Sequence, residues 1–372
     1  MTDEVRLGDI HTALGPGSFA LAPDGRPEYI AVGSTDDADA IASALVGAGA
    51  AILRQRDYPN LGRRAFIVDL QALPLPDARQ VLAAGAPGAS FDIHALYRYA
   101  EAAPRLYAAA LINQPDSPAC TLPGEVRIGL IDGPVAVDHS ALLGAALTTH
   151  SVLKANDPPV PPDHGTAVAA LLIGQDDSGT FAGFATGAQL FAASAFSRHG
   201  VRVATHVERI GAALDWLVAN DVQLINMSFT GPVNAALDDL LAATAGKGAI
   251  LIAAAGNEGR EIDVYPAAAE PVISVTAVDA GLRRYRSANT GAHIEFAAPG
   301  VDLYVARRQG GHYASGTSYA APIITALAAR LVTQGARSAG AVRTQMRDQT
   351  RDLGEPGRDI QFGWGLVRAT TC

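Results

Sequence analysis

Residues 126–131 read VRIGLI and run into Asp132; residues 189–196 read QLFAASAF, residues 222–228 VQLINMS and residues 249–256 AILIAAAG. Each is a short, nearly unbroken apolar run, the pattern of a strand covered on both faces. Between these runs lie stretches predicted as helices: one from Gly165, one over about residues 203–219 and one over about 234–245. Strands alternating with helices predict an α/β domain with a parallel sheet flanked by helices on both faces. In such a sheet, reactive groups belong at the carboxyl ends of the strands.

Upstream, EYIAVG (28–33) reads as a strand, DDADAIASALVGAG (36–49) as a helix, AAILRQRDY (50–58) and RRAFIVDL (63–70) as strands, residues 76–84 as a helix and SFDIHAL (90–96) as a short strand. This βαββαβ order predicts a small α+β domain of the ferredoxin-like, split βαβ kind. Residues 1–27 are punctuated by Gly and Pro and read as a loose arm. NQPDSPACTLPGE (113–125) marks a boundary, so the expected organisation is arm 1–27, small domain 28–99, linker 100–119 and large domain 120–372. The length, 372 residues, suits two domains.

Composition narrows the function. Lys and Arg number 28 against 37 Asp and Glu, a net charge of −9, and no basic run could track a phosphate backbone, which weighs against nucleic acid as a partner. No 18-residue apolar run free of charges appears, so no membrane span is expected. The first thirty residues show neither a basic n-region nor an uninterrupted apolar h-region, so no signal peptide is visible.

Four residues stand where the large domain would carry chemistry. Asp132 ends the first strand, in IGLIDGPV; His164 opens an apolar helix, in HGTAVA; Asn257 ends a buried strand, in AAAGNEG; Ser318 opens a long apolar helix, in SGTSYAAP. Taken singly, each fits a bland role: a turn Asp, a surface His, a left-handed turn Asn, a helix N-cap Ser. Together they follow one another by 32, 93 and 61 residues at strand ends or helix starts of one sheet. The order Asp, His, Ser is one of the known chain orders of a Ser-His-Asp triad, and a serine at a helix start has first-turn N–H groups beside it to stabilise developing negative charge.

These motifs, with INMSFTGP (225–232), YPAAAEPVISVTAV (265–278), FAAPG (296–300) and FGWGLVRA (362–369), resemble the subtilisin-like serine proteases over residues 122–369. The resemblance implies Ser318 as nucleophile, His164 as general base, Asp132 as its orienting carboxylate, and Asn257 with the Ser318 N–H as oxyanion hole. It also implies a primary specificity pocket bordered by Ser228, Phe229, Thr230 and Gly231 and by Ala253, Ala254, Ala255 and Gly256, with the peptide substrate bound as an added strand. The small N-terminal domain looks like the intramolecular chaperone and inhibitor that precedes many such proteases.

Three departures modify the expectation. Asp132 is followed by Gly133 and Pro134, where a hydroxyl residue is usual. Thr230 and Val264 stand where the family commonly has small residues, which would shorten the pocket and favour small or medium apolar substrate side chains. Tyr319 replaces a common methionine, removing an oxidisable thioether.

Other candidates read as structural. Asp138 and His139 lie past the end of the first strand, and Asp176, Asp177 and Ser178 read as a turn more readily than as a calcium loop, which needs six or more oxygen ligands. No cofactor is therefore expected. The glycines of GTFAGFATG (179–187) do not follow a strand as a dinucleotide fingerprint must, so a nucleotide-binding α/β protein is a weak competitor. A catalytically silent, peptide-binding relative is the other alternative, motivated by the altered Asp132 motif. Cys120 and Cys372, the two cysteines, sit at the ends of the large domain and are expected to form a disulfide. That bond would require an oxidising compartment and a periplasmic or secreted protein, cytoplasmic being the alternative.

Overall fold

The computed structural model describes residues 20–96, 106–114 and 121–369. Contacts divide the chain into two compact units, Met1–Ala102 and Ala103–Cys372. Cys120 and Cys372, and with them the expected disulfide, lie outside the described residues, as does the expected arm up to residue 19.

In the small unit, β1 (Tyr29–Ser34), α1 (Ala38–Gly47), β2 (Ala51–Tyr58), β3 (Arg63–Asp69), α2 (Leu75–Gly85) and β4 (Ser90–Ile93) follow in chain order. The strands form one antiparallel sheet in the order β2-β3-β1-β4, the ferredoxin-like topology. Ile41, Leu45 and Leu82 from the helices pack with Phe66 and Val68 of β3. Residues 20–27, read from sequence as part of a loose arm, are tied to this sheet. Leu21 bridges Pro27, and the Ala20 N–H donates to the His94 carbonyl at 2.9 Å.

The large unit begins within the stretch expected to be linker. Residues 108–111 form the short helix α3 (Ala108–Leu111), Ile112 is fully buried, and the Tyr107 hydroxyl donates to the Val301 carbonyl at 2.6 Å. Flanking prolines mark a boundary in sequence, but Tyr107 and Ile112 fill space that the large unit would otherwise leave empty.

The remaining elements are β5 (Arg127–Asp132), β6 (Leu147–Ser151), α4 (Asp163–Ile173), β7 (Gln189–Ser194), β8 (Ser197–His199), β9 (Arg202–Ala204), α5 (Val207–Ala219), β10 (Leu224–Met227), α6 (Ala235–Gly246), β11 (Ile250–Ala254), β12 (Val272–Val278), β13 (Phe296–Pro299), β14 (Leu303–Ala306), β15 (Gly311–Ala314), α7 (Thr317–Thr333), α8 (Ala339–Asp348), β16 (Thr350–Arg351) and β17 (Leu366–Val367). Nine strands form one sheet in the order β16-β17-β13-β12-β11-β10-β5-β7-β6, parallel from β17 to β6. Only the edge strand β16 runs antiparallel.

Because the pleat sends alternate residues to opposite faces, the apolar runs feed two cores. Ile128, Leu130, Leu190 and Ile252 pack under α4 and α7, while Ile131, Ile225, Met227 and Leu251 pack under α5 and α6. The helix expected from about residue 203 starts at Val207 instead. Arg202–Ala204 pair with Ser197–His199 as a hairpin, and the Thr205 hydroxyl holds the turn by donating to the Ala195 carbonyl. Among the described residues no helix is long and apolar enough to cross a membrane.

Candidate active site

Asp132 ends β5 at the carboxyl edge of the sheet and is 4% exposed. Its Oδ1 accepts from the Gly133 backbone N–H at 2.6 Å. His164, the second residue of α4, places Nδ1 2.9 Å from each Asp132 oxygen. Donation of Nδ1–H to the carboxylate fixes the tautomer and leaves Nε2 as the basic nitrogen. The carboxylate charge raises the His164 pKa above its ordinary value, burial opposing it in part. The side chain of His164 stays 43% exposed, so Nε2 can be reached.

The approach of the two elements depends on Gly165. A Cβ there would lie 2.6 Å from the Pro134 carbonyl oxygen and 2.7 Å from that of Gly133, both rigid backbone. Glycine after His164 thus lets the helix seat against the turn. Thr166, fully buried, ties the same turn by accepting from the Ala136 N–H at 2.8 Å.

Ser318 is the second residue of α7 and is half-buried. Its hydroxyl donates to the Ser228 carbonyl at 3.0 Å, not to His164, so the nucleophile rests in a rotamer turned towards the end of β10. The neighbouring Tyr319 ring lies 5.8 Å from the His164 ring, which places the serine and histidine elements side by side. The Ser228 hydroxyl donates in turn to the Ser318 carbonyl and accepts from Asn226, whose Oδ1 accepts from Thr325 within α7. Asn226 and Thr325 are both fully buried, so this chain of polar groups pins the start of α7 to β10.

Asn257 follows β11. Its Oδ1 accepts from the Thr317 N–H at 3.0 Å and from the Thr317 hydroxyl at 3.2 Å, which orients the amide and leaves Nδ2 as an available donor on the exposed side. The loop before it needs Gly256, whose φ of +95° lies in the left-handed region. A Cβ there would meet Asn289 Nδ2 at 2.4 Å and the Thr230 methyl at 3.3 Å. Thr230 therefore faces Ala255-Gly256 across the expected slot, and Phe229 packs edge-to-face against Phe196 beside it. Gly231 pairs with Tyr265 as a two-way backbone bridge, which brings the segment carrying Val264, itself buried, to the same wall.

Asn289 carries no recognisable motif in the sequence. It is fully buried, donates to the Ala255 carbonyl and to the Glu258 carboxylate, and accepts from the Glu258 N–H. It is the brace of the Asn257 loop, and its only signal was an asparagine in the weakly patterned run SANTG. His139 is buried and bonded through both ring nitrogens; Asp176 caps a turn, its Oδ1 accepting from the Phe181 N–H. Among the described residues no group of three or more His, Cys, Asp or Glu side chains is placed to hold a metal ion.

The arrangement sets an imidazole oriented by a carboxylate and an amide donor beside the start of the helix that carries Ser318. Residues 124–365 match the model of the Subtilase family. Minor extracellular protease Epr of Bacillus subtilis (strain 168) is 33% identical over 55% of this chain, although the match spans only 32% of the length of Epr. Subtilisin DY of Bacillus licheniformis is 29% identical over 65% of this chain and 88% of its own. The solved structure of sphericase shares the fold, with a TM-score of 0.61 and 23% identity over 70% of this chain and 97% of that one. The chain belongs to the subtilase family of serine proteases.

Proposed function

We propose that the protein is a serine endopeptidase that cleaves peptide bonds through an acyl-enzyme, with Ser318, His164 and Asp132 as its triad. The observation that carries this reading is the paired 2.9 Å contacts of His164 Nδ1 with Asp132 beside the start of α7, where Ser318 and the oriented Asn257 amide stand together. A rotation about χ1 of Ser318 exchanges the Ser228 carbonyl for His164 Nε2 as acceptor, a tightening common when substrate enters. The Ser318 oxygen then attacks the scissile carbonyl carbon while Nε2 takes its proton. Asn257 Nδ2 and the Ser318 N–H stabilise the oxyanion, and the Asp132 carboxylate stabilises the imidazolium. The C–N bond breaks as His164 returns the proton to the leaving amine, and water repeats the sequence on the ester. No cofactor is assigned a step.

The substrate is a peptide or protein whose chain adds as a strand beside residues 228–231. Thr230 and Val264 narrow the pocket towards small or medium apolar side chains, and a substrate series run on Thr230→Gly tests this by a shift of kcat/KM towards larger ones. Residues 28–99 act as an intramolecular inhibitor of a precursor. Their ferredoxin-like sheet with its own core supports this, and the folded segment added to the separated large unit should inhibit it. Similarity to the minor extracellular protease Epr supports an extracellular location.

The Ser318 hydroxyl bonded to Ser228, with Gly-Pro after Asp132, favours one competing reading: a silent, peptide-binding relative. Hydrolysis of a casein or peptide substrate by the parent but not by Ser318→Ala supports the protease; binding without hydrolysis supports the competitor.

A further inference from the structure

The triad comes from two separate parts of the sheet, and the structure shows one connection that reaches from the serine side to both members of the other. The hairpin of β14 and β15 turns at residues 307–310, and β15 runs on within four residues to Ser318. The tip is gripped on two sides. His139, seven residues beyond Asp132, accepts from the Ala141 N–H at Nδ1, which makes Nε2 a donor, and Nε2 lies 2.9 Å from the Gly310 carbonyl oxygen. Asp163, immediately before His164, accepts from the Arg308 N–H at 3.1 Å and pairs with Arg307 Nε at 3.2 Å.

We propose that His139 and Asp163 are positioning residues that latch the β14–β15 tip to the Asp132 turn and to the start of α4, and thereby set Ser318 in register with His164. The inference rests on the triad reading above.

Three further observations support it. His139 is buried, and a buried histidine bonded at both nitrogens is rigid. Phe181 packs edge-to-face on His139 and stacks on Tyr304 of β14, whose ring meets Tyr313 of β15, so the grip extends along the hairpin. Burial disfavours the Asp163 charge, yet the Arg308 N–H and the Arg307 guanidinium hold its carboxyl below the usual range, consistent with a charge committed to the tip. At the base of the hairpin, two residues before Ser318, the Gly316 N–H donates to the Gly300 carbonyl at 2.8 Å, so the hairpin is fixed at both its base and its tip. An error of about 1 Å in such an alignment can lower the rate roughly a hundredfold without altering ground-state binding.

The test compares the full chain with His139→Leu, His139→Gln, Arg307→Met and Asp163→Asn, measuring kcat, KM, melting temperature and the rate at which a fluorophosphonate labels Ser318. The expected result is a fall in kcat and in labelling rate by the same factor for His139→Leu, about tenfold or more. KM stays unchanged, and His139→Gln, whose amide N–H can replace Nε2–H, recovers most of the rate. Arg307→Met, at an exposed position, and Asp163→Asn, at a half-buried one, lower kcat by a few fold and non-additively with one another. If His139→Leu fails to fold, Arg307→Met and Asp163→Asn carry the test. A folded set of variants that turns over and labels at the parent rate, or a loss that Gln fails to recover, overturns the latch while leaving the protease reading intact. A parent that neither hydrolyses nor labels overturns the protease reading, and the latch with it.

Discussion

The Ser228 hydroxyl donates to the carbonyl of Ser318 at 2.8 Å, and that carbonyl is the one that Pro322, four residues further along α7, has no N–H to bond. A proline inside a helix leaves the i−4 carbonyl without its partner. Here the gap falls on the candidate nucleophile itself, and a side chain from the end of β10 fills it. Ser228→Ala should therefore destabilise the protein by about 1–3 kcal/mol, the cost of a buried carbonyl left unpaired. Pro322→Ala supplies a helical N–H and should recover part of that loss in the double variant, as read by denaturant unfolding. Strict additivity of the two substitutions would remove the relationship.

The Asp132 charge raises the His164 pKa, and neutral imidazole is the base. The rate of hydrolysis should therefore rise with pH and reach half its plateau above about 6.5, the unperturbed imidazole value. Asp132→Asn should move that midpoint to lower pH and lower kcat by about 10⁴-fold, because an amide no longer selects the productive tautomer. For stability the sign is opposite. The protonated pair stabilises the fold below the unfolded pKa of His164, and that contribution is lost as pH rises through the higher folded value. A rate that peaks near pH 4 would point to a carboxyl-based mechanism.

Gly165→Ala places a methyl against the carbonyls of Gly133 and Pro134, neither of which can move without the turn that holds Asp132. The loss should appear in kcat more than in KM, since His164 and Asp132 part while the substrate strand site at 228–231 is untouched. Wild-type kcat in a folded Gly165→Ala variant would show that the close approach is not required.

Asn257→Ala should lower kcat by about 10²–10³-fold, the usual cost of one oxyanion-hole donor, with KM little changed. Thr317 holds Oδ1, so Asn257→Asp, which keeps that acceptor but replaces the free donor, should be no better than Ala. An effect confined to KM would take Asn257 out of this role.

The runs at 126–131, 222–228 and 249–256 were legible as strands because burial on both faces leaves an unbroken apolar signature, and Asp132 and Asn257 were legible because they interrupt it at strand ends. Thr148, Thr149 and His150 of the edge strand β6 carry no such signature, since their side chains are exposed and pairing with β7 alone makes them a strand. Residues 108–111 read as linker and not as part of a core, because the groups that meet Ile112 lie far away in sequence, the Ala369 N–H among them. His139 and Asp163 were set aside or unremarked for a similar reason. At the hairpin tip each bonds a backbone group, of Gly310 and Arg308, about 170 and 145 residues away, and a backbone acceptor or donor leaves no trace in residue identity.

The most direct test of the triad is the mass of the intact protein after exposure to a fluorophosphonate, followed by peptide mapping and a hydrolysis assay on the same sample. The expected result is one adduct per chain, on Ser318, with hydrolysis abolished in proportion to labelling, and neither labelling nor hydrolysis in Ser318→Ala. Hydrolysis retained by Ser318→Ala, or a parent protein that stays unlabelled while folded, would contradict the assignment.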